Sequence, residues 1–180
     1  MRTQEIIDRP PRTIMEVYKM LPEGTLAELI DGIIYMSPSP IRPHQRTISL
    51  LSARMTVFVE ENDLGEVYVS PFDVYLDEKS NAVQPDIVFV SKARLSMIDP
   101  MGHIHGVPDL TVEVLSSGNR KYDLEKKKDL YERFGVLEFW IIDPLNKEAT
   151  GYRLQNRKYI EFFKSTGKIE SKLLGESFSF

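Results

Sequence analysis

The sequence predicts an α/β (α+β) fold with a mixed β-sheet, and three observations predict it. Apolar residues fall at helical spacing at Ile48, Leu51, Met55, Phe58 and Val59, and a second helical stretch covers 122–134. Short runs of β-branched and aromatic residues, at 87–90, 110–115 and 138–143, read as strands. The order is helix, several strands, helix, strand, more strands, which is not the strict alternation of a doubly wound parallel sheet.

Taken in order, residues 1–12 are a polar, extended lead-in ending near Pro10-Pro11. Thr13 and Glu16 have the spacing of a capping box, so a short helix runs to about Leu21 and stops at Pro22 and Gly24. Asp31-Gly32 between two apolar runs predicts a hairpin. Three prolines in 37–43 predict a loop, and a helix follows over 44–62. Strands over 66–70 and 72–76 hinge at Pro71, and 77–81 turns. After the strand at 87–90, residues 91–108 are irregular with room for one helical turn, and 110–115 is the next strand. Residues 116–119 turn into the helix at 122–134, which Gly135 ends. A strand over 138–143, rich in aromatics, precedes a hairpin made of 149–154 and 159–164.

The 180 residues suit one domain over 1–180. With no cysteine, disulfides and cysteine-ligated zinc or iron–sulfur centres are excluded, and a reducing, cytoplasmic setting is compatible. No apolar run is long enough to span a membrane, and the N-terminus lacks the apolar core of a signal peptide. A net charge of −4 argues against affinity resting on a pervasive basic surface. It leaves room for a local patch, such as Arg120, Lys121, Lys126 and Lys128.

Asp86 and Glu113 sit in runs that otherwise look like buried strands, where a charge is costly unless it is paired or binds a cation. Two such carboxylates suggest a divalent metal, and metal with a lysine suggests phosphodiester hydrolysis. Asp109 cannot share a metal with Glu113, because four residues along one strand separate their Cα atoms by about 13 Å. Asp86 comes from another segment and can lie beside Glu113 if the two strands pair. On the following helix Asp123, Lys127 and Tyr131 share a face. Read alone, Asp86 is equally a turn cap, Glu113 could be served by an arginine or lysine without metal, and Lys126 to Lys128 resemble a solvated helix face. His103-Ile104-His105 puts two imidazoles on one side of a strand, but no third ligand is evident and a hydrogen-bonded loop fits better. Tyr152, Tyr159, Phe162 and Phe163 could stack bases, although strand spacing suits core pairs.

Several stretches, in order, resemble the Uma-two family, a branch of the restriction-endonuclease-like PD-(D/E)xK superfamily. They are Glu28-Leu29-Ile30-Asp31-Gly32, Met36-Ser37-Pro38-Ser39-Pro40, His44-Gln45, Pro71-Phe72-Asp73-Val74, Gln84-Pro85-Asp86-Ile87-Val88-Phe89-Val90, Gly106-Val107-Pro108-Asp109-Leu110, Val112-Glu113-Val114-Leu115-Ser116, 123–131 and 135–144. They cover most of 25–154; residues 155–180, with the far strand of a C-terminal hairpin, are least diagnostic. The resemblance implies a restriction-endonuclease-like core, a central mixed β-sheet flanked by helices, with an N-terminal hairpin. It implies a divalent-metal site for Mg²⁺, with Mn²⁺ as substitute. Asp86 and Glu113 match the metal-binding carboxylates, and Glu28 matches a further acidic position. The superfamily lysine usually stands two residues after the second carboxylate, where this chain has Leu115; Lys127 matches the relocated lysine of this branch. His44 matches a family histidine, and Ser116-Ser117-Gly118 departs from the usual Ser-Pro-Ser.

On this reading the protein is a Mg²⁺-dependent endonuclease acting on nucleic acid, with DNA as substrate, and a homodimer. Asp86, Glu113, Glu28 and the Val114 carbonyl would hold the metal. Lys127 would position water or stabilise the phosphate, His44, Tyr131 and Asp123 would be accessory, and Arg120, Lys121, Lys126 and Lys128 would contact phosphates. The rival from another class is a non-catalytic nucleic-acid- or protein-binding protein that retains the nuclease fold. A two-carboxylate glycosidase is disfavoured by the lysine and by the lack of aromatics beside the carboxylates.

Overall fold

The computed structural model describes residues 10–100, 102–116 and 120–180, with the side chains of 120–123 outside the description. Helix α1 (Ile14–Lys19) begins where the capping signal put it, with Thr13 Oγ1 accepting the Glu16 N–H at 3.1 Å. The Glu16 carboxylate accepts the Arg12 N–H at 2.6 Å, one residue earlier than a capping box requires. Strands β1 (Ala27–Ile30) and β2 (Ile33–Met36) form the N-terminal hairpin. Its turn residues Asp31 and Gly32 both take positive φ, 49° and 78°, as a two-residue primed turn needs.

Helix α2 (Arg42–Glu61) starts inside the stretch read as a loop, because Pro43 stands in its first turn, where a missing N–H costs nothing. Then follow β3 (Gly65–Val69), β4 (Val74–Tyr75), β5 (Ala82–Val83), β6 (Ile87–Ser91), a 3₁₀ turn (Lys92–Met97) and β7 (Ile104–His105). The second half holds β8 (Leu110–Val114), α3 (Arg120–Phe134), β9 (Glu138–Ile142), β10 (Glu148–Gln155), β11 (Lys158–Thr166), β12 (Lys168–Ser171) and β13 (Glu176–Ser179). The β10–β11 hairpin turns on Asn156 and Arg157, both at positive φ. The 3₁₀ segment, six residues and so about two turns, stands where one helical turn is expected between 91 and 108, and Ile104–His105, expected in a loop, forms the short strand β7 beside β4.

The strands make a six-stranded sheet in the order β11-β10-β9-β8-β6-β3, a five-stranded sheet β2-β1-β5-β4-β7, and the separate pair β12-β13. Pairing is antiparallel except for β8 with β9 and β4 with β7, so both larger sheets are mixed. Helix α3 is the crossover between the parallel strands β8 and β9.

Alternation along the central strands divides the interior in two. Ile87, Phe89, Leu110, Val112, Val114, Trp140 and Ile142 point to one face and pack with Ile48, Leu51, Met55 and Val59 of α2 and with Ile169, Leu174 and Phe178 near the C-terminus. Val88, Val90 and Phe139 point to the other face and pack with Leu130 and Tyr131 of α3 and with Ile30, Val74, Val83 and Ile104 of the five-stranded sheet. Covered on both sides, the central strands are apolar throughout, and a charged residue in them stands out.

One such residue belongs to the architecture. Glu138, 1% exposed, accepts the Trp140 Nε1–H at 2.7 Å and the Lys172 and Leu173 N–H groups at 3.0 and 2.9 Å. It fastens the turn between β12 and β13 to the central sheet. Trp140 lies flat against Gly151 of the neighbouring strand, where a Cβ would come within 2.6 Å of the indole ring. We expect Gly151→Ala to lower stability by about 1–3 kcal/mol through overpacking, measured by urea denaturation. An unchanged midpoint would show that the indole has room to shift.

Candidate active site

Glu113 lies on the α3-facing side of β8, sharing that face with Thr111 as strand alternation dictates. It is 5% exposed, and its two oxygens have different partners. Oε1 accepts the Tyr131 hydroxyl at 2.6 Å, and Oε2 accepts from Lys127 Nζ at 2.8 Å. Lys127 and Tyr131 are one helical turn apart on α3, so a single face of the helix serves both oxygens.

Asp86 stands immediately before β6 rather than within it. The antiparallel register Ile87↔Val112, continued by one residue, sets Asp86 opposite Glu113. The β6–β8 ladder has ended there, and Asp86 Oδ2 accepts the Val114 N–H at 2.7 Å. Its carboxylate therefore does cap a strand end, and it also faces the site. His44, in the first turn of α2, places Nε2 3.3 Å from the same oxygen. Its buried Nδ1 has no hydrogen-bond partner among the described residues.

Glu28 comes from the middle of β1, in the other sheet. Its Oε1 accepts the Gln84 N–H at 2.9 Å and is 2.9 Å from Lys127 Nζ. Lys127 thus joins a glutamate of the N-terminal hairpin to one of the central sheet. The Gln84 side chain, to which the sequence assigned no role, donates to the Thr25 carbonyl and to Asp73 and so anchors the backbone that holds Glu28.

These groups form the foot of a cleft of about 700 Å³. One wall is α2, through Gln45, Ile48, Ser49 and Ser52; another is the hairpin, through Tyr35 and Met36. Leu115, in the usual lysine position, lines it as well. The α2 wall had no signal in the sequence beyond His44-Gln45. Lys126 reaches the cleft, with Nζ 2.6 Å from the Tyr35 hydroxyl, whereas Lys128 lies 4.0 Å from the centre of the Tyr152 ring and is not among the lining residues. Lys128 therefore does not face the cleft with Lys126, because two positions along a helix turn the side chain by about 200°. The side chains of Arg120, Lys121 and Asp123 lie outside the described residues, as does Ser117.

The other candidates are engaged elsewhere. Asp109 pairs with Arg94 at 2.6 Å and accepts the Ser91 N–H. His105 is held between Glu78 (2.6 Å) and Asp99 (2.9 Å) and stacks on Tyr75, with His103 edge-on to the same ring. Tyr152 and Tyr159 pack around Phe139, and Phe162 and Phe163 around Trp140.

Three carboxylates, Glu28, Asp86 and Glu113, surround one lysine, a formal excess of two negative charges in a buried place. The consequences are visible in both partners. Burial pushes Glu113 up to about 7, and Asp86 and Glu28 add to the rise against the opposing pull of Lys127. Burial alone would depress Lys127, but Glu113, Glu28 and Asp86 together hold it above the ordinary lysine range. Tyr131 is raised well above a free tyrosine by burial and then by Glu113 and Glu28. Among the described residues no three acidic or histidine side chains already converge on a point. The donor set is nevertheless of hard oxygens, and the excess charge matches a dication, which would compete with Lys127 for Glu28 and Glu113.

A family model described as Uma2, putative restriction endonuclease, matches residues 14–177. The chain belongs to the Uma2 family. A crystal structure of a putative nuclease belonging to DUF820 from Anabaena variabilis ATCC 29413 has the same fold, with a TM-score of 0.73 at 21% identity over 92% of each chain. No curated protein matches. The resemblance drawn from residues 25–154 is borne out, as is the mixed α+β fold, and the family match extends beyond 154 through β12 and into the start of β13. The family is described as one of putative restriction endonucleases, and the fold is shared with a putative nuclease. No helix among the described residues is long and apolar enough to cross a membrane.

The burial of Glu113 has a measurable consequence in this Uma2 chain. Its carboxyl rises from 4.5 to about 7 on folding, so between those values the folded state holds more protons than the unfolded state. Stability from this group is present below pH 4.5 and lost as pH rises through about 7. We expect urea denaturation without divalent cation to show this fall in the wild type, and Glu113→Gln to flatten it. Parallel profiles in the two proteins would contradict the assignment.

Proposed function

We propose that this protein is a divalent-metal-dependent endonuclease that hydrolyses phosphodiester bonds in DNA, with Mg²⁺ as its cation and Mn²⁺ as a substitute. The observation that carries the reading is Lys127 Nζ, held 2.8 Å from Glu113 and 2.9 Å from Glu28 at the foot of a cleft, with Asp86 across from Glu113. A lysine among carboxylates suits phosphoryl chemistry, where negative charge develops on the substrate. One such site per chain cuts one strand, so cleavage of a duplex calls for a homodimer.

Asp86, Glu113, Glu28 and the Val114 carbonyl would hold the cation. When bound, it polarises a phosphate oxygen and makes a water easier to ionise. The remaining work falls to the chain itself. Lys127 Nζ keeps its proton because the carboxylates more than offset its burial, so it can donate to a phosphate oxygen as charge builds there. His44 Nε2 and the Val114 N–H steady Asp86 Oδ2 from two sides. Ile48 and Leu115 line the cleft with apolar surface, which lowers the local dielectric and strengthens each charge interaction. Lys126, beside Tyr35, is placed to meet a flanking phosphate.

The test is calorimetric titration of Mg²⁺ and Mn²⁺ into wild type and an Asp86→Ala/Glu113→Ala double variant, with a nucleic-acid cleavage panel on the same samples. We expect saturable binding and metal-dependent cleavage in the wild type alone, with the double variant folded and inert. Cleavage retained by a pure, folded double variant would sink the scheme. A wild type that binds nucleic acid but takes up no metal and cuts nothing would make the non-catalytic binding reading the correct one.

A further inference from the structure

Tyr131 is among the most completely buried side chains of the protein, yet its hydroxyl points at a candidate metal ligand. Its ring packs on Phe139 with centroids 5.2 Å apart, and Phe139 in turn stacks with Tyr152 and Tyr159. Its main chain is fixed as well. The Tyr131 carbonyl accepts the N–H of Gly135 at 2.9 Å and of Val136 at 3.0 Å, closing the end of α3 over a glycine at φ 92°. Ring and backbone are therefore both immobilised, and the hydroxyl is a donor at a set position.

That donor meets Glu113 Oε1 at 2.6 Å, the length of a charge-assisted O–H···O⁻ bond. A glutamate has three side-chain torsions and, on a strand, several staggered ways to place its carboxylate. With Oε1 held by Tyr131, Oε2 turns toward Lys127 Nζ, which also pairs with Glu28. Each carboxylate oxygen has lone pairs to spare after one hydrogen bond, so pinning does not block coordination. We propose that Tyr131 is a positioning residue, whose hydroxyl holds the Glu113 carboxylate in the orientation that presents it to a divalent cation. This rests on the metal-site reading above and adds a residue that would not touch the cation or the substrate.

Groups that orient metal ligands from behind influence affinity by about 10–100-fold. The structure supplies its own control. Tyr159 belongs to the same aromatic cluster, and its hydroxyl donates to the Val136 carbonyl at 2.9 Å, with no contact to Glu113 among its hydrogen bonds. Tyr131→Phe and Tyr159→Phe thus each remove one hydroxyl from the same aromatic cluster, the first fully buried and the second partly buried, of which only the first meets the site. Mg²⁺ is titrated calorimetrically into wild type and both variants, and the Mg²⁺ concentration for half-maximal cleavage is measured beside the KM for DNA.

We expect Tyr131→Phe to weaken Mg²⁺ binding by about 10-fold or more, with cleavage rescued by excess Mg²⁺ and KM for DNA unchanged. Tyr159→Phe should lower the melting temperature while binding Mg²⁺ as wild type does. Wild-type Mg²⁺ affinity in Tyr131→Phe would overturn the proposal and leave the nuclease reading standing. An equal loss in both variants would overturn it too, by assigning the effect to packing. If Tyr131→Phe does not fold, Tyr131→His, which keeps a ring and a hydrogen-bond donor, is the second variant; Mg²⁺ binding at wild-type strength despite the displaced donor would count against the proposal, and weakened binding for it. A wild type that takes up no Mg²⁺ removes the metal-site reading itself, and this inference with it.

Discussion

A carboxylate on a strand covered from both sides is the constraint around which this molecule is arranged. Glu113 is surrounded by valines, and its charge is tolerable only where each oxygen has a donor. Helix α3 supplies both donors from one face, which fixes its rotation and depth above the sheet. The lysine among them cannot be satisfied by one glutamate when three carboxylates are near, and it draws Glu28, and with it the hairpin, to the central sheet. Packing of the five-stranded sheet on the α3 side and the electrostatics of the cleft are in this sense one problem with one solution.

Two buried glutamates show how differently the same side chain can be used. Glu138 has its oxygens filled by an indole N–H and two backbone N–H groups, all neutral donors rigidly placed, and no other carboxylate is among its partners. It behaves as a structural fastener. Glu113 is raised by burial first and by Asp86 and Glu28 after it, with Lys127 pulling the other way, so its proton affinity is displaced upward. Two further carboxylates beside a buried one, a crowding that Glu138 does not share, are what set Glu113 apart as the candidate for chemistry.

Much of this was legible in the chain because charge violated an apolar pattern. Asp86 and Glu113 were visible as acids inside strand-like runs, and Lys127 and Tyr131 as neighbours at helical spacing. Glu28 came from the resemblance, since a glutamate in a short hairpin strand is unremarkable by pattern. Other parts had no local signature. Strands β5 and β7 are two residues each, too short for any periodicity to register, while the two residues of β4 lie inside the strand expected over 72–76. The proline-rich lead into α2 read as loop because proline's tolerance for a first helical turn is indistinguishable from its dislike of the interior. Glu138 was invisible as a fastener because two of its donors are backbone groups 34 and 35 residues away. Asp86 caps a strand end and also lines the cleft, so the cap reading does not remove it as a candidate.

The crossover formed by α3 also divides the site by distance along the chain. Glu113 lies 14 residues from Lys127 and 18 from Tyr131, inside a single strand–helix–strand unit. Asp86 is 28 residues from Val114, across one antiparallel neighbour, whereas Glu28, in the other sheet, lies 99 residues (127 − 28) from the Lys127 it pairs with. Closing a longer loop costs more chain entropy, so the lysine–glutamate–tyrosine core is the part the polypeptide can assemble at least cost, and the hairpin glutamate the part it must bring furthest. Loosening the hairpin therefore takes one acid from the cleft and leaves the other pairings in place, which gives the site a graded architecture: a locally encoded nucleus with a separable outer arm.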